Sequence, residues 1–150
     1  MKKRSFVLLQ NARYEDQRRV MEGIRKSGNC PFCPEHLKKS HREPILRRTE
    51  HWILTRNQWP YENTRVHLIA ITRVHAERIS ELPEGAGEEL IALVGWAEKR
   101  FRIKGGGFGF RFGSPEHSGG TVRHLHAQIM TARTTNRRSE KYKPLHFRLG

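Results

Sequence analysis

From Gly119 to Met130 apolar and polar residues alternate, and a period of two is the mark of a β-strand. On such a strand His124, His126, Gln128 and Met130 share one face, while Leu125, Ala127 and Ile129 take the other. Val66 to Ile71 is apolar on both faces except for His67, which predicts an interior strand. Between Ala86 and Lys104 the apolar positions are Ala86, Leu90, Leu93, Val94, Ala97 and Phe101, a helical period that Gly105 stops. Gly107 to Phe112 sets aromatic residues on one face against glycines on the other, and glycine inside a strand signals that something approaches closely.

Weaker patterns fill in the rest. Residues 1 to 10 predict a short strand, and residues 12 to 26 a basic helix with Val20, Met21 and Ile24 inward, closed by Gly28. Glu43 to Arg47 and Glu50 to Thr55 predict two strands around a turn, followed by a loop from Arg56 to Thr64. Residues 133 to 144 are polar and basic, and Pro144 to Leu149 predicts a last strand. One long helix and a short N-terminal helix among about five strands with short connections define an α+β fold on an antiparallel sheet. We divide residues 1–150 into an N-terminal extension (1–27), a core (28–132) and a basic C-terminal segment (133–150), all in one domain.

Composition narrows the class. The 150 residues are 35% hydrophobic with 13 glycines, the size of one domain with a real core. No apolar run approaches the ~18 residues needed to cross a bilayer, and the basic start lacks the apolar stretch of a signal peptide, so a cytoplasmic protein is expected. Only two cysteines occur, as Cys30-Pro-Phe-Cys33, which suits a metal or redox pair better than a disulfide framework. With 29 Lys and Arg against 15 Asp and Glu, the formal charge is +14, so polyanions are attracted. That field does not distinguish a small phosphate-rich substrate from nucleic acid, because the basic residues are dispersed rather than striped.

The candidate chemistry starts from two imidazoles on one face. Same-face neighbours on a strand lie roughly 6.5 to 7 Å apart, so His124 and His126 either share one metal or do two separate jobs. The two-residue gap of Cys30-x-x-Cys33 lets both thiolates reach one ion if histidines complete a tetrahedron. A neutral imidazole is a good nucleophile near pH 7. Gln128 offers an amide on the same face, the backbone N–H groups of Gly119, Gly120 and Thr121 offer an anion nest, and Thr121 adds a hydroxyl.

His124-Leu-His126-Ala-Gln128 resembles the His-x-His-x-Gln motif of the histidine triad superfamily of nucleotide hydrolases and transferases. Asn57 to Tyr61, Val66 to Ile71 and Arg73 to Pro83 resemble that family's middle in the same order, so the likeness spans roughly residues 28 to 132. The form with Gln is similar to the galactose-1-phosphate uridylyltransferase and dinucleoside polyphosphate phosphorylase branches. The resemblance implies that His126 attacks the α-phosphate of a nucleotide, such as a dinucleoside polyphosphate, to form a nucleotidyl-histidine. It implies a structural zinc ion on Cys30, Cys33, His75 and His124, a sugar contact at Asn57, and a homodimer. His36 lies close enough to Cys33 to compete for the ion, His41, His51 and His117 fall in loops or strand ends, and His67 reads as a packed histidine.

The chain also departs from the family. The usual amide side chain is missing around Gly113 and Ser114, and Gly120 stands where many members have Gln, which leaves backbone groups, or arginines such as Arg111 or Arg123, to meet phosphate. Gln128 cannot give up a proton as a third histidine could, which favours transfer over simple hydrolysis. Asn57 serves equally well as a turn cap. Two other classes stay open: a zinc-stabilised basic nucleic-acid-binding module with His126 idle, and a metal-dependent hydrolase in which His124 and His126 hold one catalytic ion.

Overall fold

The computed structural model describes residues 4–150. Five strands form one fully antiparallel sheet in the order β1-β2-β3-β5-β4: β1 Ile45–Arg48, β2 Trp52–Arg56, β3 Thr64–Thr72, β4 Gly107–Arg111 and β5 His126–Ala132. The α+β architecture read from the sequence is the one observed. Ladder register ties the motif to an interior strand, because β5 lies between β3 and the edge strand β4, with His126 opposite Ile71 on one side and Arg111 on the other.

Strand alternation then separates two faces. On one, Trp52, Leu54, Val66, Leu68, Ala70, Ala127 and Ile129 pack against Ala86, Leu90, Leu93 and Ala97 of the long helix α3 (Ala86–Arg100). The Trp52 indole N–H donates to the Ala86 carbonyl at 2.7 Å and pins the start of that helix. On the other face Ile53, Ile69 and Ile71 meet Leu37 of a short helix, α2 (Pro34–Ser40), while α1 (Glu15–Ser27) lies beside the same cleft. His126 and Gln128 open on this second face.

Several expectations change. Of residues 1 to 10, those up to Lys3 lie outside the described part, and the rest give only one isolated bridge, Val7 to Val122, and a 3-10 turn at Leu9–Asn11. The Leu8 N–H bonds the Thr121 carbonyl and the Arg123 N–H bonds the Phe6 carbonyl, so this segment lines the approach to the motif without joining the sheet. The strand predicted from Val122 starts at His126, because His124 turns away to another partner set. The α2 helix was not foreseen; Pro34 at its first position marks it. Residues 144–149 form no strand. They run in an extended coil over β4, and the Phe147 ring lies 3.9 Å from where a Cβ on Gly109 would be. The close approach expected at the glycine face of β4 amounts to this ordinary contact at Gly109, and nothing lies within 4 Å of a Cβ at Gly107. Among the described residues, no helix is long and apolar enough to cross a membrane.

Candidate active site

Cys30 and Cys33 sit at the turn that enters α2, and His124 and His75 reach them from loops at the ends of β5 and β3. The Cys30 sulfur lies 3.3 Å from His124 Nδ1, and the Cys33 sulfur 3.5 Å from His75 Nδ1 and 3.8 Å from His124 Nδ1. All four ligand atoms fall within 4.8 Å of one another. For sulfur and nitrogen on one tetrahedral zinc, bond lengths place the two atoms about 3.6 Å apart, so this donor set fits the ion. His124 Nε2 lies 2.7 Å from the Thr72 carbonyl. A carbonyl only accepts, so Nε2 carries the hydrogen and Nδ1 presents its lone pair to the sulfurs. Burial pushes the Cys33 thiol up to about 12 and the His124 imidazole down to about 4. Two protonated thiols would be poor ligands, and a bound cation would reverse that preference. His36 is outside the cluster and sits 4.0 Å from Glu35.

His126 is also outside the cluster. Its Nδ1 lies 2.7 Å from the His124 carbonyl, so Nδ1–H donates and Nε2 keeps an unshared pair. The ring is half-buried in a cleft lined by Phe32, Asn57, Trp59, Arg111, Thr121 and Gln128, among others. Phe32 stands edge-on to it, with ring centroids 5.0 Å apart. Burial is the main influence that lowers His126 to about 4, with the carbonyl contact acting the other way and Arg111 and Arg13 adding to the drop. The imidazole is therefore neutral at physiological pH.

Beside it runs a network that the sequence did not reveal. The Tyr61 N–H donates to His67 Nδ1 at 3.0 Å, which fixes the hydrogen on His67 Nε2, and that hydrogen goes to Gln128 Oε1 at 2.5 Å. Asn57 Nδ2 donates to the same oxygen at 3.4 Å. With its oxygen occupied, Gln128 has its amide N–H2 left for the cleft. His67 is thus more than a packed histidine, though it is buried and lowered to about 4 by that burial. The available signal was that His67 is the one polar residue in the run Val66 to Ile71; the ladder then sets it opposite Met130, two residues from the Ile69–Gln128 pair. Asn57 caps a turn, since its Oδ1 accepts from the Trp59 N–H at 2.9 Å, and it also lines the cleft.

The glycine turn is partly engaged. The Gly119 N–H bonds the Pro115 carbonyl at 2.9 Å and the Gly120 N–H bonds Ser118 Oγ at 3.3 Å, although both residues and Thr121 line the cleft. Of the two arginines considered for phosphate, Arg123 is buried and bonds Glu116 at 2.5 Å and the Ser5 carbonyl at 3.1 Å. Arg111 stands next to His126 across the ladder and lines the cleft.

No protein-family model matches the chain, and no curated protein sequence does. Solved structures do match. A zinc-bound histidine triad family protein from Mycobacterium smegmatis shares 17% identity over 77% of this chain and 84% of its own, with a TM-score of 0.56. A HIT family hydrolase from Clostridium thermocellum shares 22% identity over 76% of this chain and 97% of its own (TM-score 0.55). Plasmodium falciparum diadenosine triphosphate hydrolase shares 17% over 61% of this chain and 62% of its own (TM-score 0.50). These similarities define a class: small antiparallel α+β domains of the histidine triad type. The fold of this chain is the histidine triad fold.

Proposed function

We propose that the chain is a nucleotidyl hydrolase or transferase in which His126 carries the nucleotidyl group. The single observation behind this reading is the Nδ1 contact of His126 with the His124 carbonyl, which leaves Nε2 unshared on a ring that lines the cleft. In the first step Nε2 bonds to the α-phosphorus of a bound nucleotide, and the bond from phosphorus to the bridging oxygen breaks, its electron pair leaving with that oxygen. In the second, water or another acceptor attacks the same phosphorus and gives up its proton to solvent, the N–P bond breaks, and the pair returns to Nε2. Gln128 N–H2 and the Arg111 guanidinium meet the charge that grows on the phosphate oxygens. Asn57, Gly119, Gly120 and Thr121 line the place where the nucleotide would sit.

Cys30, Cys33, His75 and His124 would hold zinc, whose contribution there is structural, because protein fills all four positions. A catalytic ion shared by His124 and His126 does not suit this geometry: the ring nitrogens of His124 face the sulfurs and Thr72. Support for nucleotide substrates comes from the shared fold of a diadenosine triphosphate hydrolase and a HIT family hydrolase. The extensions at 1–27 and 133–150 we assign to the same domain as the core.

The test is covalent trapping. Mixing the protein with a dinucleoside polyphosphate, quenching in alkali and digesting should add one nucleoside monophosphate to the peptide containing His126. A protein that binds DNA with a steep salt dependence, yet never gains that mass or releases a mononucleotide, would be the binding module instead.

A further inference from the structure

The basic residues are scattered along the sequence, but the fold gathers several of them at the end of α3, on the face of the sheet that this helix covers. The Arg47 guanidinium of β1 lies 5.2 Å from the centre of the Trp96 ring. Those of Arg56, on β2, and Arg100, in the last turn of α3, lie 5.1 and 5.5 Å from the centre of the Phe101 ring. Arg65, near the start of β3, donates to the Phe101 carbonyl at 3.5 Å. Trp96 and Phe101 themselves meet edge to face, with centroids 6.4 Å apart, so arginines from four elements surround one aromatic pair. The arginines are exposed and the two rings half-buried.

Charge pairing does not account for this gathering. Among the described residues the arginines in ion pairs with Asp or Glu are Arg4, Arg18, Arg19 and Arg123, none of which belongs to the group. Glu98 is the one carboxylate between Leu90 and Pro115. A helix C-terminus favours cations, which suits Lys99 and Arg100, but it does not draw arginines from three strands to the same rings.

Backbone geometry marks the same spot. Arg102 follows the helix with a φ of 51°, the left-handed conformation that closes helix ends and that glycine adopts most readily. Its N–H bonds the Lys99 carbonyl at 3.3 Å, and the Ile103 N–H bonds the Glu98 carbonyl at 2.9 Å, which completes the closing turn. An exposed arginine at a glycine position adds one more like charge, together with strain that closing a helix does not require.

Guanidinium groups stacked on rings keep their N–H edges free for phosphate, and their outer faces offer planes on which bases can stack. The rings beneath are capped, so neither is presented for insertion into a bilayer. The cations come from strand ends and a helix end rather than from one element that could lie in a duplex groove. We infer that this face binds a single-stranded polynucleotide, held through its phosphates by Arg47, Arg56, Arg65, Arg100 and Arg102. The net charge of +14 draws such a strand toward the protein, and the patch gives it a place to settle. The surface is independent of the transfer reading, because none of these residues lines the His126 cleft.

The test is fluorescence anisotropy of a labelled oligodeoxythymidine of about 15 nucleotides across a salt series. Wild-type protein should bind it, with affinity falling as salt rises. Arg56→Gln with Arg102→Gln should weaken binding about tenfold or more at low salt and lower the slope of log K against log salt by roughly 1.4, about 0.7 for each phosphate contact on a single strand. Arg56→Lys with Arg102→Lys keeps both charges and should keep the slope. Arg25→Gln with Lys26→Gln removes the same charge from α1, beside the opposite face, and should leave affinity within about twofold. Equal losses in the two glutamine variants would reduce the effect to the overall field and overturn the patch. No binding by wild type, tighter binding of the matching duplex, or stronger binding to phosphatidylserine vesicles with the same loss in the Arg56 and Arg102 variant would overturn it as well.

Discussion

Two histidines two residues apart end with opposite assignments, and the difference lies in which ring nitrogen meets a carbonyl. His124 turns Nε2 to Thr72 and Nδ1 to the sulfurs, whereas His126 turns Nδ1 to the backbone and keeps Nε2 open. His126→Ala should therefore lower turnover by about a thousandfold or more while metal content, read by plasma emission, stays at the wild-type level. His67 acts at one remove, through the Gln128 oxygen it holds. His67→Asn should reduce kcat about tenfold, with little change in KM, because it frees the amide that meets growing charge. The same residue predicts a pH effect. Its folded value, about 4, lies below the roughly 6.5 of an unfolded histidine, so the unfolded chain takes up the proton first. Its contribution is fully present above about pH 6.5 and declines as pH falls toward 4. Urea midpoints measured at pH 7.5 and 5 should fall less in His67→Asn than in wild type.

The element scale shows what was legible beforehand and what was not. The α3 helix and the motif strand are readable because their apolar positions repeat at 3.6 and 2 residues, and the β3 strand because it is a short run apolar on both faces, so each signal lies within its own segment. The α2 helix leaves little trace in the sequence because it spans only Pro34–Ser40 and Leu37 is its one buried side chain. Pro144 to Leu149 looks like a strand by composition, but β4 offers it contact through Phe147 rather than a ladder. Arg13 and Arg111 could not be paired in advance, since nothing local joins positions 98 apart. Gly106 makes the β4 entry testable: a Cβ there would meet the Met130 carbonyl oxygen at 2.5 Å, a backbone atom that cannot step aside. Gly106→Ala should cost about 1 to 3 kcal/mol in chemical denaturation, whereas Gly107→Ala, with nothing within 4 Å, should be tolerated far better.

For the molecule as a whole, the cysteine and histidine cluster ties the entry to α2, which lies outside the sheet, to the paired ends of β3 and β5. Chelation, or Cys33→Ser, should remove one metal equivalent and lower the melting temperature, and zinc should restore only the chelated wild type. The net charge of +14 should also be felt at a distance. Raising ionic strength from 0.02 to 0.2 M (roughly a threefold shorter Debye length) should slow association with a polyphosphate and raise KM more than it changes kcat.

His124 contributes its ring to the cluster and its carbonyl to His126. A preparation short of zinc should consequently contain fewer working molecules rather than uniformly sluggish ones. The size of the first-turnover burst would count them, and it would scale with metal occupancy while the pace of each competent molecule stayed the same.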